Sequence, residues 1–192
     1  MKKYQIAILV SGTGTNALNI IEYFEKNCSV RVALMVSNKK SSKAVEKAQN
    51  KGIESVVFNN EWFKNNEKIL AFLKSRSIDL IVLAGFLLKI PKAVTDTYQK
   101  KIINIHPSLL PKFGGKGMYG YHVHKAVIKA HETESGITIH FVNENYDDGA
   151  IIFQNKVTIK KSETAESLEK KIKKLELRYY PEIIDRVVRG LI

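Results

Sequence analysis

Apolar residues in the first hundred positions fall into short runs, separated by segments in which they recur every three or four residues. Residues 5–10 (QIAILV) form one such run, which stops at a glycine loop and predicts a strand; 30–36, 53–58, 78–84 and 101–105 repeat the pattern. Between them, 16–26, 42–51, 61–76 and a short stretch after Pro91 carry helical spacing. Phe63, Ile69, Leu70 and Leu73 face inward in the third of these helices, and Gly52 stops the second. The run IDLIVLA at 78–84 is almost wholly apolar, as expected of a central parallel strand covered on both faces. Strands joined by helices imply right-handed crossovers and an α/β fold with a doubly wound, mostly parallel sheet. Beyond Ile105 the pattern changes to a Gly-rich loop reaching Gly120, a helix, and two strands at 137–142 and 150–159 that form a C-terminal antiparallel extension. A last helix starts near Thr164, with Leu168, Ile172, Leu175 and Tyr179 as its buried stripe and Pro181 expected to kink or split it. Neither a repeat nor a linker interrupts the chain, so its 192 residues read as a single domain, long enough to bury about 70% of the unfolded surface.

Ligands of such sheets bind beyond the carboxyl ends of the strands, which directs attention to the loops there. Ser11-Gly12-Thr13-Gly14-Thr15-Asn16 follows the first strand and opens the first helix. Glycines permit a sharp turn and close approach of backbone to ligand, and the N–H groups of a helix start attract anions. A dinucleotide site would need an acidic residue about 20 positions on; Ser37-Asn38-Lys39-Lys40 stands there instead. No Gly-Lys-Ser/Thr follows, so the loop is not a Walker motif either. It reads as a cradle for a monophosphate held by Gly14, Thr15 and Asn16, or simply as a tight strand-to-helix turn.

Asn104 and His106 end the fifth strand, and period two puts them on one face, aimed at the ligand crevice. An amide can donate to a developing oxyanion and an imidazole can move protons near neutral pH. Pro107 stiffens the exit. Asp147, in the turn Tyr146-Asp147-Asp148-Gly149, is the third candidate: folded over the sheet edge, its carboxylate would hold the His106 tautomer. Acidic residues in turns often serve the turn alone. His122-x-His124 brings no H-E-x-x-H or cysteine cluster with it, so a metal is not expected.

The net charge of +12 suits an anionic ligand, but the lysines are scattered. Lys39, Lys40 and Lys43 lie around one turn, and Lys170, Lys171, Lys173 and Lys174 project from the last helix opposite its apolar stripe, so a solvated surface is expected rather than a nucleic-acid patch. The one cysteine, Cys28, permits no intrachain disulfide; it is read as a small buried hydrophobe in a reducing, cytoplasmic setting. The N-terminal apolar run is too short to cross a bilayer.

Asn104-Ile105-His106-Pro107-Ser108-Leu109-Leu110-Pro111-Lys112-Phe113 resembles the signature of the folate-dependent formyltransferases. Gly136-Ile137-Thr138-Ile139-His140-Phe141-Val142 with Asp147 and Gly149 resembles their second signature, and the Ser-Gly-x-Gly-x-Asn loop and Leu83-Ala84-Gly85-Phe86 agree. The resemblance covers essentially the whole chain, in order, and is strongest to the branch acting on glycinamide ribonucleotide in purine biosynthesis. It implies the Rossmann-like formyltransferase fold, with residues 1–100 as a phosphate-binding half and 101–192 as a folate and catalytic half. It further implies 10-formyltetrahydrofolate as formyl donor, glycinamide ribonucleotide as acceptor, and no metal, nucleic acid or membrane partner. By the same resemblance Asn104, His106 and Asp147 are catalytic, while Gly14, Thr15, Asn16, Pro107 and Glu176 bind the acceptor. Leu87, Leu88, Lys89 and Ile90, with Asn104 and His140, line the pterin pocket. Many members carry Met-Arg-Ile-Leu where this chain has Leu87-Leu88-Lys89-Ile90, a swap that main-chain contacts to the pterin can survive. The loop Gly114-Gly115-Lys116-Gly117-Met118-Tyr119-Gly120 is longer than in many members, and reads either as a flap over the folate tail or as surface decoration.

Methionyl-tRNA formyltransferase and formyltetrahydrofolate deformylase share the core and stand as alternatives, but they normally add a C-terminal and an N-terminal domain respectively, so the length of the given sequence disfavours both. A basic nucleic-acid-binding module would gather lysines and aromatics on one face, which is not the pattern seen. A degenerate relative kept as a scaffold would have no need of Asn104, His106 and Asp147 together.

Overall fold

The computed structural model describes residues 3–27, 29–40 and 42–192; Cys28, and with it the burial expected of its thiol, lies outside them. The elements run β1 (Tyr4–Val10), α1 (Thr15–Phe24), β2 (Val30–Ser37), α2 (Lys43–Asn50), β3 (Glu54–Val57), α3 (Asn60–Lys64) and α4 (Asn66–Ser75). They continue β4 (Leu80–Leu83), α5 (Lys92–Thr97), β5 (Ile102–His106), α6 (Tyr121–Lys129), β6 (Glu134–Phe141), β7 (Ile151–Thr158) and α7 (Ala165–Val188).

The strands form one sheet in the order β3-β2-β1-β4-β5-β6-β7. β1 to β5 pair in parallel, and β6 and β7 join antiparallel at one edge, as the doubly wound pattern with its late extension predicts. Alternate residues of each central strand face opposite layers. Ile6, Ile8 and Val10 pack on the side of α1 and α7, while Ala7 and Leu9 pack on the side of α3, α4 and α5. A central strand therefore has no solvent face, the reason β1 from Ile6 onward and all of β4 are apolar.

Two sequence expectations change on folding. The single helix expected over 61–76 is two, because Asn59 and Asn65 each turn a side-chain oxygen onto a helix start, accepting from the N–H of Trp62 at 2.8 Å and of Lys68 at 3.0 Å. Asparagine at such a position supplies a cap, which makes a break there cheap.

The second change concerns Pro181. It neither kinks nor splits α7, which runs unbroken from Ala165 to Val188. Proline there removes the N–H that would bond the carbonyl of Leu177, four residues back. Asn19 of α1 replaces it, its Nδ2 donating to the Leu177 oxygen at 2.7 Å. The buried stripe of α7 is also rotated from the expected one: Glu176 and Tyr180 sit at its centre, and Leu175 and Tyr179 are only half-buried.

Candidate functional site

An open cavity of about 600 Å³ lies beyond the carboxyl ends of β1, β4 and β5, where an open α/β sheet binds ligands. Its walls come from both halves of the chain. The glycine loop and residues 83–90 meet residues 104–107, the 115–120 loop, the 140–147 segment and α7 around it. All the candidate site residues named from the sequence line it.

At its inner end the sheet register does the positioning. Asn104 of β5 lies directly opposite His140 of β6, and His106 opposite Thr138, so all four share one face. Asn104 Nδ2 donates to His140 Nε2 at 3.1 Å. His140 Nδ1 is 2.8 Å from the carbonyl of Phe141; a carbonyl only accepts, so the proton is on Nδ1 and Nε2 is left free to accept from Asn104. Among the described residues the other Asn104 hydrogen has only Asp147 Oδ1 within reach, at 3.5 Å, a contact long enough for a better acceptor to replace.

Asp147 arrives from the loop after β6 with φ +53°. Its Oδ2 accepts the Gly115 N–H at 2.9 Å and lies 3.4 Å from His106 Nδ1. His106 Nε2 is 2.8 Å from the Phe113 carbonyl, which assigns the Nε2 proton by the same logic. A further proton would therefore enter at Nδ1, beside the carboxylate. Burial holds the His106 pKa below its ordinary value, against the opposing pull of Asp147. The ring is thus neutral near pH 7 and free to take a proton. Burial also works against the Asp147 charge, yet that carboxyl is held below its ordinary value, with the Gly115 N–H donating to it.

The glycine loop forms the opposite end. Gly14 takes φ +71°, and a Cβ there would stand 2.2 Å from the Ala44 Cβ, so only glycine fits between α1 and α2. The start of α1 carries neither a side-chain cap nor an acidic residue, leaving its N–H groups for an anion. Asn16, read from the sequence as a residue of this cradle, turns its side-chain amide away from it: its Nδ2 donates to Glu176 Oε2 at 2.9 Å. Glu176 is 9% exposed, and a carboxylate so buried needs donors; Lys173 supplies another, at 3.2 Å. Lys173 therefore faces the cavity rather than the solvated surface expected of it, whereas Lys171 pairs with Glu163.

The third wall is apolar. Leu87, Leu88 and Ile90 line it, with Val142 also in the cavity lining and Lys89 the charged exception, and Leu87 is exposed. Ser11 ties this wall to the glycine loop: its Oγ accepts the Leu87 N–H at 3.0 Å and its N–H donates to the Gly85 carbonyl at 3.1 Å. Sequence reasoning passed over Ser11, Lys173 and Tyr180, whose hydroxyl reaches the carbonyls of Leu83 at 2.8 Å and Ile103 at 3.2 Å. For the last two the spacing held a signal, since Lys173, Glu176 and Tyr180 stand at i, i+3 and i+7 on one helix face. Among the described residues no group of three or more His, Cys, Asp or Glu is arranged to hold a metal ion, and no helix is long and apolar enough to cross a membrane.

His124 of α6 lines the cavity too, 3% exposed and with an unpartnered Nδ1. Burial, and then the neighbouring charge of His106, push its pKa down to about 4. His124 and His106 therefore both hold fewer protons folded than unfolded below pH 6.5, the ordinary value. The stability they contribute is complete above 6.5 and is lost as pH falls toward about 4. Denaturant midpoints should fall across that window, and His124→Asn should flatten part of the fall; a midpoint constant from pH 7 to 4 would contradict the placement of both rings.

A mostly parallel Rossmann-like sheet with an antiparallel edge, an anion cradle, and an amide, imidazole and carboxylate at one strand end define a group-transfer enzyme of the formyltransferase type. The formyl transferase family matches residues 4–184, and the chain belongs to that family. It is similar to the chloroplastic phosphoribosylglycinamide formyltransferase of Arabidopsis thaliana, 37% identical over 97% of this chain and 66% of the relative. It is similar also to the phosphoribosylglycinamide formyltransferase of Haemophilus influenzae, 37% identical over 99% of this chain and 89% of that one. The chain thus spans about two thirds of the plant relative and most of the bacterial one. The crystal structure of phosphoribosylglycinamide formyltransferase from Anaplasma phagocytophilum superposes with a TM-score of 0.89 at 32% identity, covering 98% of this chain and 88% of that one.

Proposed function

We propose that this protein transfers the formyl group of 10-formyltetrahydrofolate to the amine of glycinamide ribonucleotide, a step of purine biosynthesis toward IMP, in the cytoplasm. The observation that carries the reading is that Asn104, His106 and Asp147, in contact with one another, share one cavity with an anion cradle and an aliphatic segment. A phosphorylated amine and a folate fit the lining in chemistry: helix N–H groups for the phosphate, aliphatic side chains for the folate.

In this reading Gly14, Thr15 and Asn16 hold the phosphate, the backbone of Asn16 serving the anion while its amide holds Glu176. Glu176 and Pro107 place the amine end of the acceptor. Leu87, Leu88, Lys89 and Ile90, with His140 beyond Asn104, receive the pterin. The donor supplies the formyl carbon. As the amine adds to that carbon, charge gathers on the formyl oxygen. The Asn104 N–H now pointing weakly at Asp147 is the donor for it, and His140 keeps the amide plane in place. The amine must lose a proton and the leaving folate nitrogen must gain one. His106 takes the proton at Nδ1, where Asp147 stabilises the imidazolium, and returns it.

The test is donor consumption by purified protein with and without glycinamide ribonucleotide. Tetrahydrofolate release that requires the ribonucleotide is the expected result. Equal release without it would make the protein a hydrolase of the donor, and no release under either condition would remove this acceptor.

A further inference from the structure

His106 is the last residue of β5, and the chain then turns tightly through residues 107–112 before the Phe113 carbonyl comes back to accept from its ring. That carbonyl decides how the imidazole stands, so whatever holds the turn sets the ring. We infer that Thr138, with Gln154 behind it, is the positioning residue for His106.

Thr138 lies opposite His106 in the β5–β6 register, on the same face and fully buried. A threonine hydroxyl has one proton to give and two lone pairs, and here all are used. It donates to the Ser108 carbonyl at 2.7 Å and accepts the Leu110 N–H at 3.0 Å and the Gln154 amide at 2.9 Å. Gln154 Nε2 donates also to the Leu110 carbonyl at 3.0 Å. The middle of the turn is therefore held from below by side chains of β6 and β7. Ser108 carries the order forward, its hydroxyl donating to the Lys112 carbonyl at 2.9 Å, one residue before Phe113.

Gly136 lets the turn come this close. A Cβ there would stand 2.7 Å from the Leu109 side chain and 2.0 Å from the Asn155 carbonyl. Burial of a hydroxyl on β6 does not by itself produce such a network: Ser135, three residues earlier and equally enclosed, has an Oγ without a partner. The bonds of Thr138 go to the turn that carries His106. Losing them frees the Phe113 carbonyl to shift, and with it the direction of His106 Nδ1 toward Asp147. A misplacement on the order of 1 Å is enough to cost about a hundredfold in rate.

The kinetic arm of the test rests on the formyl-transfer reading; the spectroscopic arm does not. Thr138→Val keeps the shape and removes the hydroxyl, Thr138→Ser keeps the hydroxyl, and Ser135→Ala controls for a buried hydroxyl that touches nothing. In Thr138→Val, kcat is expected to fall about tenfold or more while the KM for acceptor stays within about twofold. The long-range ¹H–¹⁵N spectrum of the His106 ring should lose its Nε2–H pattern. Thr138→Ser should restore both, and Ser135→Ala should change neither. Should Thr138→Val fail to fold, Gln154→Met, at a half-buried position, carries the same test with a fall of about threefold. A folded Thr138→Val or Gln154→Met with parental kcat and parental ring spectrum would overturn the inference, as would a loss that Thr138→Ser does not recover. A parent without formyl transfer, but with the ring spectrum still dependent on Thr138, would sink the functional reading and leave the positioning role standing.

Discussion

His106→Ala is expected to lower kcat by about 10²–10⁴-fold, the range that general acid–base groups contribute, while the protein stays folded. The size of the effect follows from how the ring is held. Its Nε2 is committed to the Phe113 carbonyl and its Nδ1 faces Asp147, so no second group on that strand end can take over the proton. His140 is near, but its Nδ1–H is committed to the Phe141 carbonyl and its Nε2 to Asn104. His124 is neutral too, and with a pKa of about 4 it is a weak base near pH 7. Steady-state kinetics beside circular dichroism and a denaturation curve would decide the matter. Turnover near the parental level in a folded variant would remove His106 from the mechanism.

Asn104→Ala should reduce kcat by about 10²–10³-fold with the KM values little changed, as for loss of a single oxyanion donor. The relevant N–H makes only the 3.5 Å approach to Asp147, so its stronger bond is reserved for the charge that develops during reaction. Removing it should therefore weaken the transition state more than the bound reactants. A rise in KM with kcat preserved would reassign Asn104 to ground-state binding.

Much of the fold was legible along the chain because its signals are local. Strand and helix periodicities need only neighbouring residues, and a glycine run after a buried strand states its own backbone geometry. The same holds for Asn104 and His106, which share a face because they stand two positions apart on one strand. The helix break at Asn65 and the unbroken course of α7 were not legible for opposite reasons. Asn65 is an ordinary polar residue until its side chain is seen capping Lys68, and Pro181 reads as a breaker until Asn19 is seen bonded to the carbonyl that Pro181 orphans. Lys173 read as one of four surface lysines because charge counting along a helix cannot see a buried glutamate beside it.

The site divides along the same line. Residue types, and the strand end on which two of them stand, follow from local spacing, which the backbone of a single strand enforces wherever it lies. The partners of those residues come from far along the chain: Asp147 to His106, Glu176 to Asn16, and Thr138 with Gln154 to the turn at Ser108 and Leu110. Contacts across such separations exist only once the sheet has closed and its loops have folded over the strand ends. The pKa values, the weakly held N–H of Asn104 and the direction of the His106 proton depend on burial and on those distant groups, so packing sets them and sequence spacing does not.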